Sequence, residues 1–242
     1  LAIAGLGLSM LHQSSLGATF GVLKARPIWY RPDMAVLFIV SAMAAGPALT
    51  VLASKVAARL TARAVIDNAN LDMVSRFIGW TLVAYLYLRF WDMLAMHYTY
   101  QPGRDEGLHL LTHGPLAFNF WIGEIGLGIL VPMVVLLSER LRRHERLHLL
   151  ALLFVVGGLV AFRWDTNIVG QLVVFNYQPH EIIPLYTSYS PSLIEIVTGL
   201  GVIAYGLLSF TLGVRYLRIV DHRPAAEPSP ATLATAVAAT TD

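Results

Sequence analysis

Cysteine is missing from all 242 residues. That excludes disulfides, cysteine-ligated iron–sulfur clusters and a c-type haem attachment motif within this chain. Charge is scarce as well. Only 13% of residues are Asp, Glu, Lys or Arg, about half the roughly 25% carried by a soluble domain. No phosphate-binding glycine loop, nucleophile elbow or zinc-ligand spacing occurs, so soluble-type catalysis finds no support. Nothing in the sequence points to a nucleic-acid partner. What fills the chain instead is apolar: 56% of it is hydrophobic, too much to be kept from water by the polar residues available. Lipid is the solvent this composition fits.

Six apolar segments follow one another, at about Leu1–Gly17, Met34–Leu52, Phe77–Met96, Leu116–Leu137, Leu147–Asn167 (extending towards Val174) and Leu193–Gly213. The five full ones match the roughly 20 residues of a membrane helix. They are too long and too evenly apolar for barrel strands, and lipid offers no partner to open backbone groups. The expected fold class is therefore all-α, a polytopic helical bundle with about six transmembrane helices. Leu1 already lies in an apolar run with no basic region before it, which is not a signal peptide. The expectation is that the chain opens inside a helix and is truncated at its N-terminus. Residues 1–220 read as one membrane domain, and 221–242, rich in Ala, Pro, Thr and Ser, as a flexible tail.

Basic residues near segment ends set the expected orientation. Lys55, Arg59, Arg63 and Arg76 follow the second segment, Arg140, Arg142, Arg143 and Arg146 the fourth, and Arg215, Arg218 and Arg223 the sixth. The opposite side holds Lys24, Arg26, Arg31 and Arg104. Eleven against four places the C-terminus in the cytoplasm, in a multi-pass protein of a bacterial inner membrane. The Lys24–Arg31 group breaks the rule and reads as a docking surface for a partner. Trp29, Tyr30, Trp91, Tyr98, Tyr100, Trp121 and Trp164 fall near outer segment ends, as an interfacial aromatic belt would. Gly157–Gly158, Gly199, Gly201 and Gly206 suit close helix approach.

The ionisable residues inside segments are the informative ones: Arg89 and Asp92 in the third, Glu124 in the fourth, Arg163 and Asp165 in the fifth, Glu195 in the sixth, with His12 ending the first. Each costs roughly 2.5–3.5 kcal/mol at the centre of a membrane helix unless paired or hydrated. Once the segments alternate in direction, all of them fall in the outer half of the bilayer. That predicts one polar cluster with Arg–carboxylate pairs between helices. Arg89 and Asp92, three apart, share a helix face; Arg163 and Asp165, two apart, diverge towards separate partners. Two readings stay open at this point: a structural ion-pair network with snorkelling side chains, or a proton-exchanging site for an amphipathic ligand. A membrane b-haem needs two facing histidines. Of the eight here only His12 lies in a segment, with His97 at an edge, so bis-histidine haem is not expected. His109 and His113 stand four apart in a link, where histidines are ordinarily solvated.

Short strings then acquire a meaning. LHQSSLG at Leu11–Gly17 with Pro27–Trp29, LRFWDM at Leu88–Met93, FWIGE at Phe120–Glu124, FRWDTNIVG at Phe162–Gly170, FNYQP at Phe175–Pro179 and SPSLIEI at Ser190–Ile196 together resemble the NrfD/polysulfide reductase membrane subunits. Within that family they resemble the HybB-type branch, the membrane subunits of nickel–iron hydrogenases. The resemblance implies eight to ten helices, mostly in two four-helix bundles, of which this chain is the C-terminal part. It implies a non-autonomous subunit of a quinone-linked oxidoreductase. Such a subunit has no haem or iron–sulfur cluster of its own and binds a quinone, menaquinone or ubiquinone, near the outer face. Its implied partners are a ferredoxin-like iron–sulfur subunit on that face, the catalytic redox subunit of the complex, and membrane lipid. Residue by residue, it places His12, Gln13 and Ser14 at the quinone head group and Arg89 and Asp92 beside it. It assigns acid–base roles to His12, Asp92 and Glu124, and a proton path to Glu124, Arg163 and Asp165, with no metal. A structural anchor without quinone chemistry, or an ion or proton transporter, are the rival readings.

Overall fold

The computed structural model describes residues 2–61, 67–99, 101 and 103–216. The expected C-terminal tail, 221–242 with Arg223, lies outside the described residues, as do Arg63, Tyr100 and Arg218. The architecture is the all-α polytopic membrane fold expected, with one small hairpin added. Helices α1 (Ala2–Gly21), α2 (Asp33–Thr61) and α3 (Asn68–Tyr98) are followed by a short α4 (Arg104–Thr112). A π-helix, Asn119–Leu130, runs directly into α5 (Val131–Leu137). Then come α6 (Glu139–Arg142), α7 (Glu145–Leu172), strands β1 (Val173–Gln178) and β2 (Glu181–Tyr186), and α8 (Leu193–Tyr216).

Among the described residues, four stretches are long and apolar enough to cross a membrane: Asp33–Val56, Asn119–Leu137, Glu145–Leu172 and Leu193–Gly213. The helices α1 and α3 are as long but more polar. His12 and Gln13 dilute α1, and α3 carries Asp72, Arg76, Arg89 and Asp92. At about 1.5 Å per residue, the 31 residues of α3 reach about 46 Å, beyond the roughly 30 Å of a hydrocarbon core.

The chain divides into two compact units, Leu1–Tyr189 and Ser190–Asp242. In the first, α2, α3, the π-helix with α5, and α7 pack around a core that includes Leu37, Ile78, Leu82, Phe120, Leu136, Leu152 and Phe162, all nearly inaccessible; α1 packs along α2. Pro47 lies inside α2 and removes the donor that would serve the Met43 carbonyl. The π-helix and α7 come together at two glycines. A Cβ on Gly158 would fall 2.3 Å from the Gly128 Cα, so only backbone fits there, while Gly157 faces open space. Within the second unit, α8 opens with a capping box: Glu195 accepts from the Ser192 N–H at 2.7 Å and from its hydroxyl at 2.8 Å.

Both basic links lie at one end of the first unit. There Arg142 pairs with Asp72, Arg59 Nε meets Glu145 Oε1 at 3.0 Å, and Ser75 Oγ lies 2.8 Å from His148 Nε2. At the other end α7 stops at Leu172 instead of continuing to Val174. Val173, Val174 and Phe175 favour extended backbone, and Val173–Gln178 pairs antiparallel with Glu181–Tyr186 around the Pro179–His180 turn. Gly103, at φ +86°, lets the chain turn into α4 against the Phe175 ring, where a Cβ would sit 2.1 Å from Phe175 Cζ.

Candidate functional site

At the hairpin end, the α1–α2 link, α3 and the π-helix bring their ionisable side chains together. Asp92 lies six residues before the end of α3, about 9 Å in from that end. Its two carboxylate oxygens accept from Arg31 Nη1 at 2.6 and 2.7 Å, and Oδ2 also accepts from Arg89 Nη1 at 2.7 Å. Arg89 turns its other edge to Glu124, with Nε to Oε1 at 2.9 Å and Nη2 to Oε2 at 3.3 Å. This is a two-pronged fork of the kind that fixes both partners in orientation. The Tyr85 hydroxyl donates to the same Glu124 Oε1 at 3.0 Å. The result is a continuous chain, Arg31–Asp92–Arg89–Glu124–Tyr85, with no member more than 6% exposed. Two arginines face two carboxylates, so the chain is internally neutral. Phe120 and Phe162 flank the Arg89 guanidinium at 5.3 and 5.4 Å from their ring centres, within cation–π range.

Each site residue gets there for a local reason. The i, i+3 spacing puts Arg89 and Asp92 on one face of α3. In the π-helix the Val131 N–H reaches back five residues to the Gly126 carbonyl. The wider coil belongs to a class frequent at functional sites, and its buried face carries Phe120, Glu124 and Gly128. Arg31 arrives from the link between α1 and α2. That link was expected to be a docking surface. Its later part folds inward instead: Arg31 is 6% exposed, Trp29 Nε1 donates to the Thr166 carbonyl at 2.8 Å, and Arg26 Nη1 donates to the Val173 carbonyl at 2.9 Å, while Lys24 stays exposed. Trp29 is thus a buried anchor and not a belt residue. Arg104 of α4 holds the link down through the carbonyls of Pro27, at 3.0 Å, and Tyr30. Burial lowers its pKa from the usual guanidinium value, and the Asp92 charge partly offsets this.

Arg163 and Asp165 diverge as their spacing predicts. Arg163 faces α1 and α2. Its Nη2 donates to Gln13 Oε1 at 3.2 Å, to the Phe38 carbonyl at 3.3 Å and to Ser41 Oγ at 3.3 Å, and its guanidinium lies 3.4 Å from the Phe38 ring centre. It has no carboxylate partner among the described residues. Asp165 faces the opposite way and accepts from Asn119 Nδ2 at 2.6 Å through Oδ1.

Several cavities border this region. A groove of about 410 Å³ runs between α1 and α2, lined by Ser9, Met10, Gln13, Met43, Pro47 and Phe77 among others. It meets a second groove of about 430 Å³ at Pro47 and Phe77. Such grooves, apolar with a few polar groups, are what a small amphipathic ligand occupies. Inside the bundle a chamber of about 20 Å³ touches Ser41, Tyr85 and Glu124, room for one water by the usual threshold of roughly 10–15 Å³.

The residues expected at a head group do not all meet. Consecutive helical residues point about 100° apart, and it is Gln13 that turns to α2 while His12 is exposed. Ser14 bonds back to the Leu11 carbonyl at 2.9 Å within its own helix. His12 therefore does not reach Arg89 or Asp92 within this unit. Two members of the ionic chain, Arg31 and Tyr85, are not among the residues singled out from sequence. Arg31 lies in a link where a basic residue reads as a topology signal, and Tyr85 passes for one more apolar position. The rings of His109 and His113 stack 5.3 Å apart. No group of three or more His, Asp or Glu suited to a metal occurs among the described residues.

Comparison with known proteins places this arrangement. The chain is 27% identical to the menaquinone reductase integral membrane subunit of Nitratidesulfovibrio vulgaris, over 89% of this chain and 53% of that protein. It is 26% identical to a selenate reductase subunit of Mesobacillus selenatarsenatis, over 95% of this chain and 55% of the relative. It is 24% identical to the Hdr-like menaquinol oxidoreductase integral membrane subunit of Archaeoglobus fulgidus, over 93% and 59%. The chain thus spans a little over half the length of each of these relatives. Residues 1–176 match the family described as polysulphide reductase, NrfD, and the chain belongs to that family.

Proposed function

We propose that the chain is a membrane subunit of a quinone-linked redox complex and that the α1–α2 groove receives the quinone. The observation that carries this is the connection from groove to core. Gln13 lines the groove and accepts from Arg163, Arg163 donates to Ser41, and Ser41 shares the 20 Å³ chamber with Glu124 and Tyr85. The names of the menaquinone and menaquinol relatives support the ligand class.

A quinone supplies two carbonyl oxygens that take up electrons and protons together. Gln13 offers its amide N–H groups to such an oxygen, since its own oxygen is committed to Arg163. Arg163, without a carboxylate to neutralise it among the described residues, favours negative charge gathering at the groove. It holds its proton throughout and acts by charge and position. Glu124 is the group in reach of the chamber that can take and release a proton, and Tyr85 and Arg89 fix its orientation. The expected path through Glu124, Arg163 and Asp165 therefore divides into two arms, because Asp165 lies on the far side of Arg89 from the groove. On this reading Gln13, which lines the groove, meets the head group in place of His12.

Electrons would come from, or go to, a ferredoxin-like iron–sulfur subunit and a catalytic redox partner at the hairpin end. The protein would sit in a bacterial inner membrane with that end outward and the C-terminus cytoplasmic. The hydrogenase-type branch rests on the quoted motifs; the relatives named above carry other redox names, so we propose the partner at the level of its class.

The test uses the intact complex. In Gln13→Leu and Arg163→Gln variants the apparent KM for quinone is expected to rise about tenfold or more, the loss of one hydrogen bond to a charged group, with the complex still assembled. Assembled variants with an unchanged KM, and unchanged labelling by a photoreactive quinone, would reject the groove.

A further inference from the structure

Beyond Arg89, away from the groove, lies a separate small cavity. It measures about 10 Å³ and is bordered by Arg31, Arg89, Asp165 and Thr166, with Leu111 and Val169 among its apolar walls. Among the described residues, two buried polar side-chain atoms have no hydrogen-bond partner, Arg31 Nε and Asp165 Oδ2, and both belong to residues that line this cavity. Arg31 is 6% exposed and Asp165 1%, so neither atom finds bulk water. An orphaned donor and an orphaned acceptor on residues lining one cavity of about single-water size are what a buried water satisfies.

Charge adds a second argument. Arg31, Asp92, Arg89 and Glu124 balance two against two, and Asp165 stands outside that balance. Its direct partner is the neutral Asn119 amide. The other charges nearby are engaged elsewhere. Arg104 of α4 bonds the Pro27 and Tyr30 carbonyls, Arg163 of the same helix bonds Gln13 and Ser41, and Glu106 caps Gly103. Asp165 is the carboxylate at this cavity whose charge no arginine among the described residues matches by direct contact.

We propose that this cavity holds a water molecule bridging Arg31 and Asp165, and that through it Asp165 exchanges a proton. Arg31 Nε–H can only donate, so the water accepts from it with one lone pair. When Asp165 is ionised, a water O–H donates to Oδ2. When Asp165 is protonated, its O–H donates to the second lone pair. One water thus serves both states without moving a side chain. In the exchange, a proton carried on the water passes to Oδ2: one water O–H bond breaks, one carboxylic O–H bond forms, and neutral water and a neutral acid remain. This site is separate from the quinone groove; what it adds to the proton path expected through Asp165 is the bridging water and its Arg31 partner.

The experiment is infrared difference spectroscopy on the intact complex in lipid nanodiscs, titrated through acid pH with no quinone present, so its outcome is independent of the groove assignment. The wild type is expected to gain a deuterium-sensitive carboxylic C=O band on acidification. Asp165→Asn should lose that band. Val169→Ile, which adds a methyl at the wall of the cavity and keeps the carboxyl group, should shift it. A density map of the wild-type complex at a resolution that shows waters should place one between Arg31 Nε and Asp165 Oδ2. A band that survives Asp165→Asn, a band untouched by Val169→Ile, or a dry cavity in that map would each overturn the proposal.

Discussion

The two ends of the first unit both join helices through arginine–carboxylate pairs, yet they do so in opposite ways. At the basic end, Arg142 reaches Asp72, whose side chain is half exposed, and Arg59 and Glu145 are each about half exposed. At the hairpin end, Arg31, Asp92, Arg89 and Glu124 form an unbroken chain that water does not reach from outside. Exposed pairs are screened and worth little. A buried chain carries a desolvation cost that hydrophobic packing would avoid. Stability alone does not explain why a membrane bundle would keep four buried charges where leucines would pack. On the function proposed above, the difference between the ends would separate an anchoring end from a chemical one.

The contrast breaks most readily at Asp92. Asp92→Ala leaves Arg31 and Arg89 without their shared carboxylate in a dry site. The expected loss is about 3–5 kcal/mol, read as a lowered midpoint in reversible detergent unfolding or as failure of the complex to assemble. A midpoint close to wild type would mean that water enters the cluster, and the contrast between the ends would fall with it. Glu124→Gln is gentler. It keeps shape and one acceptor but loses the charge-assisted fork with Arg89, at a cost of about 1.5–3 kcal/mol. Quinone-linked turnover should slow in this variant while quinone still binds, because the carboxyl that faces the Ser41 chamber can no longer exchange a proton. Undiminished turnover would leave Glu124 with a structural role alone.

Much of this contrast was legible in the sequence. Alternating segment directions place Arg89, Asp92, Glu124, Arg163 and Asp165 at one end, and the structure has them there. Helical spacing foretells that Arg89 and Asp92 act together and that Arg163 and Asp165 part. Other features were hidden for physical reasons. A π-helix and an α-helix of the same apolar composition have the same hydropathy, so the wide turn that presents Glu124 leaves no trace. Arg31 resembled a loop charge because only tertiary packing tells a lysine or arginine in water from one folded under a helix end. The Val173–Tyr186 hairpin merged with the apolar run before it, and FNYQP was visible as a motif without its turn. His12 drew attention as the one histidine inside a segment, yet a helix shows each residue in only one direction, and Gln13 holds the inward one.

At the basic end the expected effects shrink. Arg142→Ala removes two bonds to Asp72 and one to the Leu136 carbonyl. With Asp72 half in water, the loss should be about 1 kcal/mol, a small midpoint shift with turnover intact. The smallest effect belongs to Arg59→Ala. Its partner Glu145 is about half exposed, and so is Arg59 itself, so the pair gains little Coulomb energy and regains side-chain entropy when broken. A change of about 0–1 kcal/mol is expected, shrinking further as salt is raised, since exposed charges are screened over about 10 Å at 0.1 M. The measurement is a double-mutant cycle of Arg59→Ala with Glu145→Ala at low and high salt. A coupling above about 2 kcal/mol, or one indifferent to salt, would show that this end is as dry as the other. Burial, and not the mere presence of ion pairs, would then no longer distinguish the site.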